Sequence, residues 1–452
     1  MPSFQSHINH AESLPDLARI LGAVCLKRGG ELQVAREQPL EDKLIKAIEA
    51  EVESSPLEAW EKAVGGSRMA AGSFGDPLIA LLEKADAFYP IDCLGVLRGL
   101  CPRLHEIYER FDGEVVLDRG TPLPFAIRPL RDRFEPTTYQ KTQAASDLLS
   151  GCATRLFEYE PTEQVRASID YRAGGALDEL GWGRGARLPK IATLHPPGST
   201  KLEANEEADG TLFFDARPVT WDPDHVLDLL RKVADIEVAL LPELSIGDID
   251  AVERTIRESP AEFPRLIVAG SIHLREPGPP EVRANESRVY LDGERVGTAR
   301  KHHAFETKEL NGKRLDRAAR ENISPEQKTM RILSGRETRL AVVICADALD
   351  TYIPLKVQAA GVNLLLVPSF TPKPGSFTGP PAAIATACQG VTVIANAPPA
   401  DAATPFHGIA AVPRPLLPEQ STVFPASSVT PTEIAVIDPN LPMNAEDAVV
   451  WR

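Results

Sequence analysis

From Lys190 onward, strand-length apolar runs alternate with helical stretches, and this alternation most strongly constrains how the chain can fold. The first apolar runs are bounded by turn residues, and the stretches between them have helical spacing. In chain order these segments are KIATLHPP, PDHVLDLLRKVAD, EVALLPELS, IDAVERTIRES and RLIVAGSIHL. The runs SRVYLDG, TRLAVVICAD, NLLLVPS and VTVIANA predict further strands, and IPLKVQAAG predicts a helix. Near-continuous apolar strands with helices between them require a sheet buried on both faces, so we predict an α/β fold.

The first 186 or so residues show a different pattern, in which amphipathic helical stretches are separated by turns that contain Pro and Gly. The clearest stretches are LEDKLIKAIEAEVESS, DPLIALLEKADAF and LGVLRGLCPRLHEIYERF. The segment GWGRGARLP, from Gly181 to Pro189, is rich in glycine and charge, which is typical of a domain boundary. We therefore predict a mainly α-helical domain at residues 1–186 and an α/β domain at residues 187–452.

The composition disfavours several classes of function. A net charge of −15 argues against a protein that binds the phosphates of nucleic acid. No apolar run approaches the roughly 18–20 residues that span a bilayer, and the amino terminus does not resemble a secretory signal. We therefore expect a cytoplasmic protein that binds neither nucleic acid nor membrane.

The cysteines are widely spread and contain no CxxC pair, so we expect neither a metal site nor a disulfide framework, and no motif implies a cofactor. Most of them are expected to pack in the core: Cys25, Cys93, Cys101, Cys152 and Cys388.

Three residues with chemical potential stand where predicted strands end or just beyond: Glu243 in EVALLPELS, Lys301 in TARKHH and Cys345 in VVICAD. Strand ends form the rim of a sheet, where α/β proteins commonly place their chemistry. Each residue also has an ordinary explanation, since Cys345 could be a core cysteine, Glu243 a solvated carboxylate and Lys301 a surface lysine. The residues taken singly therefore leave both interpretations open.

Taken together, these motifs resemble the nitrilase superfamily, in which Glu, Lys and Cys at successive strand ends form a catalytic triad. The resemblance covers roughly Lys190 to Asp438 and follows one order along the chain. Its motifs are KIATLHPP, LLPEL with Glu243, SRVYLDGERVGTARKHH with Lys301, VVICAD with Cys345, KVQAAGVNLLLVPS, VTVIANAPP and TEIAVIDP. The resemblance implies an α-β-β-α sandwich, which pairs into a homodimer or a higher homo-oligomer.

The resemblance also implies a mechanism. Glu243 would take the thiol proton, Cys345 would form a thioester, and Lys301 together with the backbone N–H of Ala346 would hold the oxyanion. A second glutamate is expected to position the substrate. Glu321 in ENISPEQ fits best, with Glu309 as the alternative.

Other residues near these motifs are expected to have supporting roles. His302 and His303 follow the lysine directly, and their counterparts in the superfamily are usually structural. At the ends of the next two strands, the expected substrate contacts are Ser369, Phe370 and Asn396.

Two departures from the superfamily pattern leave the subfamily unassigned. The chain has IATACQG where an arginine-bearing stretch is common, and ADALD follows the cysteine motif in place of the aromatic or Arg-Phe-Pro patterns. The leading hypothesis is hydrolysis of a small-molecule amide or N-carbamoyl compound, in preference to a nitrile. Acyl transfer to an amine through the same thioester, or a catalytically idle scaffold or regulatory protein, is the alternative.

Overall fold

The structure is a computed structural model of the full chain, and the following description covers part of its residues. These are residues 11, 14–27, 39–54, 89–109, 113–119, 121–124, 154–157, 165–181, 188–196, 200–206, 210–218, 222–276, 283–310, 313–324, 328–371, 377, 379–380, 383–385, 390–397, 406–412, 421–425, 433–441, 443, 445 and 447–452. Within these ranges, no helix has both the length and the apolar composition needed to cross a membrane.

The chain divides into two units, Met1–Pro161 and Thr162–Arg452. The first unit contains helices α1 (Leu14–Lys27), α2 (Pro39–Ser54) and α3 (Tyr89–Ile107), and strands β1 (Glu114–Val116), β2 (Pro122–Pro124) and β3 (Thr154–Leu156). The α2 and α3 helices coincide with two of the predicted helical stretches, whereas the third, at residues 76–88, lies outside the described residues. One apolar stripe of α3 is fully buried, with Val96, Leu100 and Leu104 at helical spacing.

The second unit contains the remaining elements. Its helices are α4 (Gly174–Glu179), α5 (Pro223–Lys232), α6 (Ile249–Glu258) and α7 (Tyr352–Ala360), with 3-10 helices at Pro260–Glu262 and Cys345–Leu349. Its strands are β4 (Val165–Asp170), β5 (Ile191–Leu194), β6 (Thr200–Glu206), β7 (Leu212–Pro218), β8 (Val238–Leu240), β9 (Leu266–Val268), β10 (Ile272–Arg275), β11 (Arg283–Leu291), β12 (Glu294–Arg300), β13 (Glu306–Leu310), β14 (Lys313–Glu321), β15 (Lys328–Ser334), β16 (Arg339–Val342), β17 (Leu364–Ser369), β18 (Val391–Asn396), β19 (Phe406–Ala411), β20 (Ser421–Pro425), β21 (Ile434–Ile437) and β22 (Val449–Trp451).

These strands form three sheets, so the unit has the mixed α/β content that the sequence predicts. Sheet I has the order β10-β11-β9-β8-β5-β21-β22, with β12 paired to β11. Sheet II runs β4-β15-β16-β17-β18-β19-β20 within this unit, and sheet III is β13-β14-β7-β6. Every strand and helix predicted from Lys190 to residue 397 is present as β5, α5, β8, α6, β9 with β10, β11, β16, α7, β17 and β18.

Sheets I and II face each other, because β17 packs against β8 and β18 packs against β5. The opposite face of sheet I is covered by α5 and α6, whose buried Leu230 and Val252 join the same apolar cluster as Ala192 and Ala239. Strand residues alternate between faces, so the buried residues between these, such as Leu240, face sheet II. Both faces of sheet I are therefore buried, which explains its continuous apolar strands.

The division between the units lies earlier than the boundary at residue 186 that the sequence predicts. The segment VRASID forms β4, which pairs in parallel with β15 over six residues from Val165 to Asp170. Its partner strand lies more than 150 residues further along the chain, and such a long-range pairing leaves no mark on a local helical pattern.

Sheet III is built from two excursions, β6 with β7 after β5, and β13 with β14 after β12. The two hairpins join through a short parallel pairing in which Glu321 lies opposite Phe214. Phe214, Leu310 and Ala319 form the small core of this sheet. The sequence predicts no strands here, and the sheet brings the end of β14 to the edge of sheet I.

Candidate active site

The candidate nucleophile and base both lie just beyond the ends of buried strands. Glu243 follows β8, and its neighbour Leu244 has a φ of 56°. Cys345 follows β16, begins the 3-10 turn, and has a φ of 47° itself. Left-handed backbone at non-glycine residues costs of order 1–3 kcal/mol and is concentrated at functional sites. The two sheets meet here, since Glu243 N–H donates to Ser369 O at 3.3 Å.

A single ammonium group lies between two carboxylates. Lys301, directly after β12, donates from Nζ to Glu243 Oε1 at 2.8 Å and to Glu321 Oε2 at 2.7 Å. All three side chains are only 2% exposed. Burial alone would lower the pKa of Lys301, but the two carboxylates raise it well above its ordinary value. Lys301 is therefore a fixed cation.

The two carboxylates are also bridged by an amide. Asn285 Nδ2 donates to Glu243 Oε1 and to Glu321 Oε1, both at 2.8 Å. This contact fixes the orientation of the amide, because the reverse orientation would place Oδ1 against carboxylate oxygens. Oδ1 itself is buried and has no hydrogen-bond partner among the described residues. Leaving such an atom unpaired costs about 1–3 kcal/mol.

Glu321 receives four hydrogen bonds. Besides those from Lys301 and Asn285, Oε1 is 3.0 Å from His273 Nε2, and Oε2 accepts from Phe305 N at 3.1 Å. The backbone N–H of Ala216 donates to His273 Nδ1 at 3.1 Å, so Nε2 is the nitrogen that carries the proton toward Glu321. Burial alone would raise the pKa of Glu321, but Lys301 and His273 together lower it below its ordinary value. Glu321 is thus a permanently ionised acceptor.

Glu243 has a different environment. Its contacts with Lys301 and Asn285 are both at Oε1. Its negative charge also raises the pKa of the Cys345 thiol. Because the charge of Glu243 acts on the thiol and Glu321 already accepts four donors, Glu243 is the better candidate to exchange a proton.

The Cys345 thiol is held in a dry environment. Its side chain is buried, Ser369 Oγ donates to Sγ at 3.6 Å, and Sγ is 3.9 Å from Phe370 O. Burial, followed by the negative charge of Glu243, raises the thiol pKa to about 12, and Lys301 opposes this rise only in part. The resting nucleophile is therefore a thiol that must lose its proton during attack.

Asp347 joins the turn that carries the lysine to the turn that carries the cysteine. Its carboxylate accepts from His302 N at 2.7 Å, from His303 N at 2.8 Å, and lies 3.1 Å from His303 Nδ1. Asp347 is completely buried. This contact fixes Lys301 relative to Cys345, two residues before Asp347. Both histidines contact Asp347 through their backbone N–H groups, and His303 also contacts it through its ring.

The structure brings most of the predicted site residues together. Glu243, Lys301, Cys345 and Glu321 form one cluster, whereas the alternative Glu309 is exposed on β13. Ala346 is partly exposed in the turn after the nucleophile.

The predicted substrate contacts lie close to the nucleophile or to the neighbouring loop. Ser369 and Phe370 lie against the sulfur atom itself. The side-chain amide of Asn396 is bonded to the backbone of Thr371, with Thr371 N to Oδ1 at 2.9 Å and Nδ2 to Thr371 O at 3.1 Å.

Sequence reasoning missed Asn285, His273 and Asp347. Each of these residues is a polar residue in a strand or turn that is expected to be buried. Burying a polar group without a hydrogen-bond partner costs free energy, so its presence there indicates a polar partner nearby. Cys25 and Cys93 are buried in α1 and α3, as predicted. The remaining predicted core cysteines have side chains outside the described residues: Cys101, Cys152 and Cys388.

No protein-family model and no curated protein matches this sequence. Similar solved structures include an amidase from Nesterenkonia sp., with 18% identity and a TM-score of 0.38 over 57% of this chain and 91% of that one. A mutant of the Nesterenkonia AN1 amidase from the nitrilase superfamily has 19% identity and a TM-score of 0.38 over 57% and 91% of the two chains. Another mutant of that amidase, with the acetamide moiety of fluoroacetamide at its active-site cysteine, has 18% identity and a TM-score of 0.37 over 57% and 92%. This level of similarity assigns no activity to the present chain.

Proposed function

We propose that the second unit is a thiol amidohydrolase of the nitrilase superfamily, with an α-β-β-α sandwich fold, that hydrolyses a carbon–nitrogen bond other than a peptide bond. The expected substrate is a small amide or N-carbamoyl compound. The observation that carries this proposal is the buried cluster in which Lys301 lies between Glu243 and Glu321, with Cys345 buried close enough for the charges of Glu243 and Lys301 to act on its thiol.

In the first half-reaction, Cys345 Sγ bonds to the amide carbonyl carbon while its proton moves to Glu243. Lys301 Nζ and the backbone N–H of Ala346 stabilise the oxyanion, and one such donor is typically worth about 10²–10³ in rate. The intermediate then collapses, the carbon–nitrogen bond breaks, and Glu243 returns the proton to the leaving amine. The product is a thioester on Cys345.

In the second half-reaction, water gives a proton to Glu243 and attacks the thioester. The carbon–sulfur bond then breaks, the acid is released, and Glu243 returns the proton to the Cys345 sulfur. Glu321 takes no proton in either half-reaction, because its four hydrogen bonds keep it ionised. Its role is to hold Lys301 in place. His273 and Asn285 support that role through Glu321.

The proposal is tested by measuring ammonia release from a panel of small amides and N-carbamoyl compounds. We expect wild-type activity that Cys345→Ala removes. Cys25→Ala is the matched control, because this buried cysteine lies in the first unit and should leave turnover unchanged. Intact mass spectrometry should detect the acyl group on the wild-type protein and not on Cys345→Ala.

Three results would redirect the proposal. Full activity in Cys345→Ala would exclude the thioester mechanism. Faster product formation with added amines, giving a new amide in place of the acid, would identify an acyltransferase. A folded protein that neither acylates Cys345 nor releases ammonia from any compound would instead favour a catalytically idle scaffold.

A further inference from the structure

We propose that a groove on the second unit, separate from the cysteine site, binds a small oxyanion that carries two or more negative charges. The groove has a volume of about 870 Å³ and lies along β12 and β15. Its wall carries four arginines and two glutamates, together with hydroxyl and small residues. The charged residues are Arg172, Arg295, Arg300, Arg331, Glu276 and Glu286.

The positive charges in this groove are consistently more exposed than their carboxylate partners. Arg172 is 61% and Arg331 36% exposed, whereas Asp170, which lies between them, is 2% exposed. Arg300 is 48% exposed, and its partner Glu286 is 10% exposed. A ligand in the groove therefore meets guanidinium groups first and carboxylates behind them. This arrangement is notable in a chain whose net charge is −15.

Arg295, the remaining arginine of the groove, is also more exposed than its carboxylate partner. Arg295 is 46% exposed, and its partner Glu253, 3.5 Å away, is 19% exposed. Glu253 is also held by Arg288 at 2.6 Å, so Arg295 contributes charge to the groove without being needed to neutralise Glu253. The less exposed carboxylates thus hold the arginine side chains in place, and of these Glu276 and Glu286 also line the groove.

Hydrogen bonds to these carboxylates hold the guanidinium groups in position before a ligand binds. Asp170 accepts from Arg172 Nε at 2.9 Å and from Nη2 at 2.5 Å, and Arg300 Nε donates to Glu286 at 3.2 Å. An arginine that is already ordered loses less conformational entropy on binding. Planar guanidinium groups match the paired oxygens of phosphate and carboxylate groups, so the groove chemistry favours a polyvalent oxyanion.

The groove and the cysteine site both adjoin strand β11, but they have separate linings. Asn285 contacts the catalytic carboxylates, and its neighbour Glu286 lines the groove. None of the groove-lining residues belongs to the catalytic cluster, so an oxyanion in the groove does not occupy the position of the amide substrate. Binding can therefore be measured without reference to catalysis.

The test is isothermal titration of the full-length protein with sodium pyrophosphate at low and physiological ionic strength, with citrate as a second probe. The variant is Arg295→Gln combined with Arg331→Gln, which leaves Asp170 paired with Arg172 and Glu253 paired with Arg288. The matched control is Arg317→Gln combined with Arg452→Gln. Both control arginines are exposed and paired with single acidic residues, and neither lines the groove.

We expect saturable binding of at least one probe, weakened at least about tenfold by the groove variant and changed less than about twofold by the control. Binding of either probe supports the inference, and the pair shows whether phosphate or carboxylate groups are preferred. Three results would overturn it: no saturable binding by wild type, equal weakening in the control, or unchanged affinity in the groove variant. If the double variant fails to fold, Arg295→Gln alone gives the same comparison.

Discussion

Replacing Glu321 by Gln should destabilise the second unit strongly, because each carboxylate oxygen of Glu321 accepts two hydrogen bonds. A glutamine has one acceptor oxygen and one donor NH2 group. In one orientation its NH2 faces Lys301 Nζ and Phe305 N, and in the other it faces Asn285 Nδ2 and His273 Nε2. Two favourable contacts therefore become donor–donor contacts in either case.

The size of the effect follows from these contacts. Hydrogen bonds to a charged group contribute about 1.5–3 kcal/mol each, and Glu321 is almost completely buried. Loss of two of them predicts a decrease of about 3–5 kcal/mol in the free energy of unfolding, since Lys301 keeps its second partner Glu243. Urea unfolding at neutral pH, followed by tryptophan fluorescence and circular dichroism, measures this decrease.

Glu309→Gln is the matched control, because it makes the same chemical change at an exposed position of β13. It should change the free energy of unfolding by less than about 0.5 kcal/mol. If the two variants lose similar stability, the four hydrogen bonds to Glu321 do not stabilise the fold. The pKa of Glu321 is lowered in the folded state, so its contribution is fully present above the ordinary pKa of about 4.3 and is lost only as pH falls through the folded pKa.

Three further predictions follow from the same cluster and its surroundings. Glu243→Gln should lower the pKa of Cys345 below about 12, because it removes a negative charge that disfavours the thiolate. The ultraviolet absorbance of the thiolate as a function of pH, corrected with Cys345→Ala, checks this, and an unchanged or higher pKa would contradict it. Asp347→Ala should reduce kcat at least about tenfold in a folded protein, because it separates the lysine and cysteine turns; full activity in steady-state assays would show that the link is dispensable. Burial lowers the pKa of His407 to about 4, so folding favours its neutral form and wild type should lose stability as pH falls from about 6.5 to 4. His407→Gln should flatten that loss in unfolding curves measured across this range, and identical pH profiles would count against it.

The strands and helices that carry the triad were predictable because their signals are local. The runs that end near Glu243 and Cys345 are apolar and buried on both faces, so composition alone identifies them as strands. The order of the motifs then placed Lys301 with them. The strands that precede the three residues are not neighbours, since β9 and β11 separate β8 from β12 and β16 belongs to sheet II. The three loops meet because sheets I and II face each other.

Sheet III was not predictable in the same way. The β14 strand, KRLDRAARE, is mostly exposed and charged, so neither apolar alternation nor an apolar run marks it. Its parallel pairing with β7 joins residues about 100 positions apart, from Arg320 to Phe213. The choice between Glu321 and Glu309 therefore stayed open until the pairing placed one at the edge of sheet I and the other in solvent.

The charges in the cluster explain why the proton should leave the thiol only during attack. With Glu243 and Glu321 ionised, Lys301 protonated and Cys345 as a thiol, the resting cluster has a net charge of −1. A thiolate formed while Glu243 is still ionised would give −2 around one ammonium, inside a dry region where such a charge is costly. If the thiol proton moves to Glu243 as the oxyanion forms, the net charge stays at −1 throughout. That constancy requires Glu321 to remain ionised, and its four hydrogen bonds provide this condition.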